Sequence, residues 1–311
     1  MNQWKNTGPV IVGGIGGSGT RVIANILKEI GYYLGSDLND ALDNLWFTLL
    51  FKRSRWFFRQ KNLHMEIIKG LSFFEKITKN EKAISFSEYL FLAKALREII
   101  VHGHDHLGSG KGLWSLKRLK SMFFQNRQVN TEYIGWGWKE PNSHIYLEFL
   151  SQYFPDMKYI HVIRHGLDMA FSKNQAQLYN WGKLWAVEKP KTSEDIPVLS
   201  LEYWIKVNNT VRLLGEKLLG NRFCIVNFDQ LQRNPYDEVK KLLKFTNHDT
   251  EDFELINRLC KKVNKANLMA RYQQFDQSCF STTSLNEVKK WGFQIETTHF
   301  QKVYSLRNHD E

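Results

Sequence analysis

"PVIVGGIGGSGTRVIANILKEIG", Pro9 to Gly31, joins the β-branched run Val10-Ile11-Val12 to a glycine cluster and then to an amphipathic segment. Val22, Ile23, Ile26, Leu27 and Ile30 recur at helical spacing, so the stretch reads as strand, tight loop and helix. From Gly14 there are four residues to Gly19, and Thr20 stands where a Walker A loop, G-x-x-x-x-G-K-[ST], would place lysine. A glycine loop opening a helix presents backbone N–H groups and the positive helix end to an anion. Gly16, Gly17, Ser18, Gly19, Thr20 and Arg21 are therefore candidate phosphate-binding residues. The skipped lysine is the group that reaches β/γ-phosphates, and no apolar strand ending in Asp is evident to hold Mg²⁺. γ-Phosphoryl transfer thus loses two of its usual supports.

The rest of the chain alternates short β runs with longer helical ones. Strands are expected at Tyr133–Trp138, Lys158–Ile163 and Phe223–Phe228. Helices are expected at Asn142–Phe154, Gly166–Tyr179, Leu201–Leu219 and Pro235–Phe245. Near-continuously apolar strands separated by helices imply an α/β fold: a three-layer α/β/α arrangement around a central, mostly parallel sheet. Residues 39–130 contain no convincing strand and read as a mainly helical insertion, with the irregular stretch "HGHDHLGSGKGLW" at 102–114. Ligands of open α/β sheets bind at the carboxyl edge, so this insertion is expected to shape an acceptor site within a single domain spanning 1–311.

The 311 residues carry 43 Lys and Arg against 32 Asp and Glu, a net charge of +11, and only three cysteines. A chain of this length buries about three quarters of its unfolded surface and needs no disulfide or metal staple. The three cysteines without C-x-x-C spacing, the lack of a signal peptide and the lack of a long apolar run lead to the expectation of a cytoplasmic protein. Bases cluster at Lys52–Lys61 and Lys111–Arg127, which favours anionic partners. Trp46, Phe47, Trp56, Phe57 and Phe58 interleave with the first cluster; a buried helix with a basic rim is the favoured reading, and peripheral membrane contact the other. His102, His104, Asp105 and His106 have no second ligand cluster, so no metal site is expected.

A second constellation lies in "KYIHVIRHGLDMAFS", Lys158 to Ser172: a strand, Arg164 at its carboxyl end, and Ser172 eight residues on. Arginine at a strand tip grips phosphate bidentately. Upstream, "WGWKEP" puts Lys139 at the end of another strand. With the loop at 16–21, "EYWIKVNNTVRLL" and "FCIVNFDQLQRNPYDEVKKLLKF", the order of these motifs resembles that of sulfotransferases using 3′-phosphoadenosine 5′-phosphosulfate (PAPS). The resemblance covers the first forty residues and roughly Gly135 to Phe245. It implies that residues 16–21 bind the 5′-phosphosulfate, that Arg164 and Ser172 bind the 3′-phosphate, and that Lys139 stabilises the leaving oxygen. It implies in-line sulfuryl transfer to an acceptor hydroxyl, with no metal required and no nucleic acid partner; the aromatics and bases of the insertion favour a carbohydrate or amphiphile as acceptor. Related enzymes use Glu or His as general base; Asp37 is nearest to the expected register, with Asp40, Asp43 or a histidine of 102–106 as alternatives. Arg271 is a candidate for closing the donor site. The chain departs from the family at Gly17, where many members carry a base, and at Phe228, where Tyr is common. A P-loop kinase or NTPase and a nonenzymatic basic anion-binding protein are the rival readings.

Overall fold

The continuous apolar run of the first strand, with side chains alternating between its two faces, sets the layers. In the computed structural model, which describes residues 7–81, 83–124, 133–263 and 270–296, β1 (Val10–Gly14) is buried along its whole length. Val10 and Val12 face one layer and Ile11 the other. The remaining strands are β2 (Tyr32–Tyr33), β3 (Gly135–Lys139), β4 (Lys158–Ile163) and β5 (Phe223–Asn227). Their order is β2-β3-β1-β4-β5, and every pairing is parallel. Val12 lies level with Lys139 on one side and Ile160 on the other, and Gly14 level with Val162. The chain thus builds outward from β1 in both directions, and the crevice beyond the carboxyl end of β1 is a topological switch point, where open α/β sheets bind ligands.

One face of the sheet is covered by α1 (Thr20–Glu29), and later by α11 (Phe228–Arg233), α12 (Pro235–Phe245) and α13 (Phe253–Val263). Ile23, Ile26 and Leu27 of α1 and Val239, Leu242 and Leu243 of α12 pack there with Val162 and Val226. The opposite face takes α2 (Leu45–Phe51), α3 (Ser54–Arg59), α4 (Leu63–Lys79), α5 (Phe86–His102) and α6 (Leu113–Phe124). α7 (Leu147–Tyr153), α8 (Gly166–Ala170), α9 (Ala176–Trp181), α10 (Asp195–Leu219) and α14 (Thr282–Lys290) complete that layer. The expected α/β/α architecture is therefore observed. Residues 39–124 hold α2 to α6 with no extended strand among the described residues; 125–130 lie outside them.

The aromatic run of this segment is core. Phe47 stacks on Trp138 of β3 at 5.3 Å and Phe74 meets the same ring edge-on at 5.1 Å. Trp46, Trp56 and Phe57 are buried as well, while Phe58 is exposed. Full burial of one such side chain contributes about 2–3 kcal/mol, so these rings fasten α2, α3 and α4 to the sheet. Among the described residues no helix is long and apolar enough to cross a membrane.

Several boundaries differ from expectation. β2 went unrecognised because a two-residue strand carries no periodicity. The expected strand Tyr133–Trp138 is Gly135–Lys139, so Lys139 belongs to the strand itself. The expected helix Asn142–Phe154 begins as a 3-10 turn at Pro141–Tyr146, with the Glu140 side chain accepting from Asn142 N. The expected helix Gly166–Tyr179 is two helices: α8 stops at Ala170, and Ser172 lies in the connecting turn before α9. Gln175 holds that turn by donating to the carbonyls of Met169, Ala170 and Ser172. α10 starts six residues earlier than expected, with Pro197 in its first turn, where a missing N–H costs nothing. Strand β5 ends one residue early because Asn227 caps α11, accepting from Asp229 N and Gln230 N.

Candidate active site

The loop between β1 and α1 is shaped by positive φ and by neighbours that leave no space for side chains. Gly17 and Gly19 both sit at φ 99°, which L side chains rarely adopt. A Cβ on Gly19 would fall 2.2 Å from Cδ2 of Phe228. The departure at Phe228 thus has a packing role: its ring is the floor on which the loop rests. Ser18 N donates to the Ile15 carbonyl at 3.0 Å, closing the turn. The α1 N-terminus has no side-chain cap and no acidic residue in its first turn, so its positive end is available to an anion. Ser18 Oγ is buried and lacks a hydrogen-bond partner among the described residues, and buried hydroxyls are rarely left so. An oxyanion at this position would supply what both groups lack. Thr20 is buried and Arg21 exposed on the same first turn.

Arg164 follows β4 and lies against this loop. Its Nη1 reaches the Gly17 carbonyl at 3.4 Å and its Nη2 pairs with Asp168 at 3.1 Å. Trp204 Nε1 donates to the Arg164 carbonyl at 3.0 Å, fixing the backbone. Asp168 also accepts from Tyr272 N at 3.0 Å. The short 3-10 helix Arg271–Gln274 is docked there, although the Arg271 side chain itself is exposed. Ser172 Oγ stands 4.0 Å from where a Cβ on Gly17 would be. The expected loop, Arg164 and Ser172 therefore meet in one place, Ser172 by way of a turn rather than a helix face.

Lys139 occupies the other flank. Its ammonium is buried, donates to the Ala41 carbonyl at 3.1 Å and pairs closely with Asp43. Asp43 Oδ2 accepts from Asn39 Nδ2 at 2.9 Å. Asp37 lies elsewhere: its carboxylate pairs with Arg118 at 2.6 Å and accepts from the Ser121 hydroxyl, which in turn takes Trp46 Nε1 at 2.7 Å. Asp37 thereby ties α6 to the segment ahead of α2. Asp40 is exposed. His102, His104 and His106 take separate partners: His102 meets Arg55 at 3.2 Å, His104 packs on Trp114, and His106 stacks on Tyr179 at 4.5 Å. Among the described residues no group of three or more His, Cys, Asp or Glu could hold a metal.

Beside the loop is a cavity of about 90 Å³ walled by Gly16, Asp43, Lys52, Glu140, Asn142 and Gln177 among others. Glu140 was not singled out from the sequence. Both its oxygens accept from Asn142, at 2.7 and 2.9 Å. Burial pushes its carboxyl up to about 7 against the opposing pull of Lys52, and the Asp43 charge raises it further. The one signal for it was its place between Lys139 and Pro141 at a strand end.

A parallel α/β sheet with a glycine loop at its switch point, Lys139 at the end of one adjoining strand and Arg164 just after the other, has the doubly wound architecture. A model of the sulfotransferase family matches residues 9–252. The chain belongs to the sulfotransferase family, and sulfotransfer is the general activity this membership supports. Among solved structures, it is similar to sulfotransferase STF9 from Mycobacterium avium, at 15% identity over 93% of this chain and 78% of that one, with a TM-score of 0.48. The sulfotransferase domain from the curacin biosynthetic pathway shows 14% identity over 93% and 99% of the two chains, TM-score 0.48. The sulfotransferase domain of the Synechococcus PCC 7002 olefin synthase shows 14% identity over 94% and 97%, TM-score 0.42. No curated protein matches significantly.

Proposed function

We propose that the protein transfers the sulfuryl group of PAPS to an acceptor hydroxyl by in-line displacement, without a metal. The observation that carries this reading is the uncapped, glycine-lined start of α1 with its unpartnered Ser18 hydroxyl, flanked by Arg164 and Ser172. The loop amides, Ser18 and Thr20 hold the 5′-phosphate end of the donor. Arg164 and Ser172 take the 3′-phosphate, the group that separates this donor from ATP. Lys139 offsets charge growing on the leaving oxygen; one such preorganised donor is worth about a hundred- to a thousandfold in rate. The acceptor enters the cavity beside Gly16, where the Asp43 carboxylate receives its proton. Asp43, although paired with Lys139, suits this role better than Asp37, because Asp43 lines that cavity and Asp37 is not among its walls.

Thermal unfolding with adenosine 3′,5′-bisphosphate and with ATP, each with and without Mg²⁺, tests the donor assignment. At about a hundred times its dissociation constant a ligand adds roughly 2.7 kcal/mol. The bisphosphate is expected to stabilise without metal, and Arg164→Lys to weaken it at least tenfold by losing the forked geometry. Stabilisation by ATP with Mg²⁺ alone overturns the reading.

A further inference from the structure

A second cavity, of about 280 Å³, shares the wall residue Lys52 with the first. Its walls come from the loop after α2, the start of α3, the histidine turn after α5, and the segment from α9 to Lys189. Besides Arg53, which pairs with Glu98, four cations line it: Lys52, Arg55, Lys183 and Lys189. None of the four takes part in an ion pair with a carboxylate among the described residues. Arg55 meets only His102, and Lys183 lies 5.8 Å over the Phe58 ring.

Two acids reach the same walls: Glu98 is paired within them, and Asp105 lies within electrostatic reach of Lys52. Glu98 pairs with buried Arg53 at 3.1 Å and accepts from Trp56 N at 3.0 Å. Asp105 closes its own turn, accepting from Leu107 N and Ser109 N. With five Lys and Arg against two acids, the walls of the cavity carry a net positive charge. Burial chiefly pushes the His104 imidazole down to about 4, with Lys52 adding to the shift and Asp105 and Asp43 opposing it. Stacked Tyr179 and His106, with Phe58, provide flat apolar wall between the charges.

Unpaired like charges facing one another across a cleft repel, and they are favourable only when an anion enters; a low-dielectric cleft also focuses that field. We infer that this cavity is the acceptor's anion site, so that the acceptor carries a phosphate, sulfate or carboxylate group set back from the hydroxyl that reacts. This rests on the sulfotransferase reading, since the cavity adjoins the first one at Lys52. The charged group would sit among Arg55, Lys183 and Lys189, with Lys52 at the passage and the hydroxyl directed towards Asp43. The two functions then fall to separate walls: Asp43 and Lys139 serve the transfer, and the distal cations select the acceptor.

The test uses the full chain saturated with adenosine 3′,5′-bisphosphate, and inorganic pyrophosphate as the probe, titrated by calorimetry at low ionic strength. Saturable binding is expected, weakening as salt rises. In Lys183→Ala/Lys189→Ala, two exposed positions, pyrophosphate affinity should fall at least tenfold while bisphosphate affinity is unchanged. Equal pyrophosphate affinity in the variant and the wild type overturns the inference. So does competition between pyrophosphate and the bisphosphate, which places the probe in the cradle. A chain that fails to bind the bisphosphate but binds pyrophosphate through Lys183 and Lys189 retains the anion site and loses the donor assignment.

Discussion

Gly19→Ala bears most directly on how the loop is built. Position 19 has φ 99°, and its Cβ would lie 2.2 Å from Phe228 Cδ2 and 2.6 Å from Cγ and Cε2. Carbon atoms in contact normally stand about 3.5–4.0 Å apart, and the obstruction is a ring root buried under the loop rather than the end of a flexible chain. The left-handed backbone costs roughly 1–2 kcal/mol for an L residue, and forcing a methyl into a filled space costs about 1–3 kcal/mol. The expected loss is about 2–5 kcal/mol, read as a lower urea midpoint at constant m-value. Repeating the substitution in a Phe228→Leu background separates the two contributions. The steric part should shrink and the backbone part persist, leaving a coupling of about 1–3 kcal/mol between the positions. A loss below about 1 kcal/mol, or the same loss in both backgrounds, refutes the packing argument.

The two aspartates should part company. Asp37→Asn is expected to cost about 1–3 kcal/mol of stability by unpairing Arg118 and Ser121, with turnover per folded molecule nearly unchanged. Asp43→Asn should lower turnover by about a hundredfold or more, measured as single-turnover transfer from labelled PAPS to the best acceptor of a phenol and sugar screen; the reverse pattern would return the base to Asp37. Glu140 makes stability depend on pH. Its folded pKa, about 7, lies above the ordinary carboxyl value of 4.5, so the folded state holds the proton more tightly. Its contribution is therefore present below pH 4.5 and is lost as pH rises to about 7. The loss amounts to about 3 kcal/mol. Glu140→Gln should flatten the difference between urea midpoints at pH 5 and pH 8, and an unchanged slope would contradict the assignment.

Much of the architecture could be read from residues alone, because it depends on local patterns. Val10 to Val12, the glycines and the spaced Ile and Leu of α1 carry strand, loop and helix in 20 or so consecutive positions, and a parallel sheet follows from apolar strands alternating with helices. Arg164 stood out because a strand end fixes where its backbone goes. The interruption after Ala170 was hidden: Gln175 ends the helix by capturing three carbonyls, a side-chain contact that leaves no periodic trace. The short strand β2 was hidden for want of length.

The chain's chemical vocabulary was thus set locally: a phosphate-shaped loop without its lysine, and cations at strand ends. Which carboxylate lines the cavity beside Gly16 was not. Asp37, Asp43 and Glu140 differ little as letters, and their roles separate only when α6 brings Arg118 to the first, β3 brings Lys139 to the second, and burial lifts the proton affinity of the third. The same holds for the cationic cavity, whose residues come from segments more than a hundred positions apart. Charge and burial act through space at a few ångströms, so they belong to the fold and cannot be read from order along the chain.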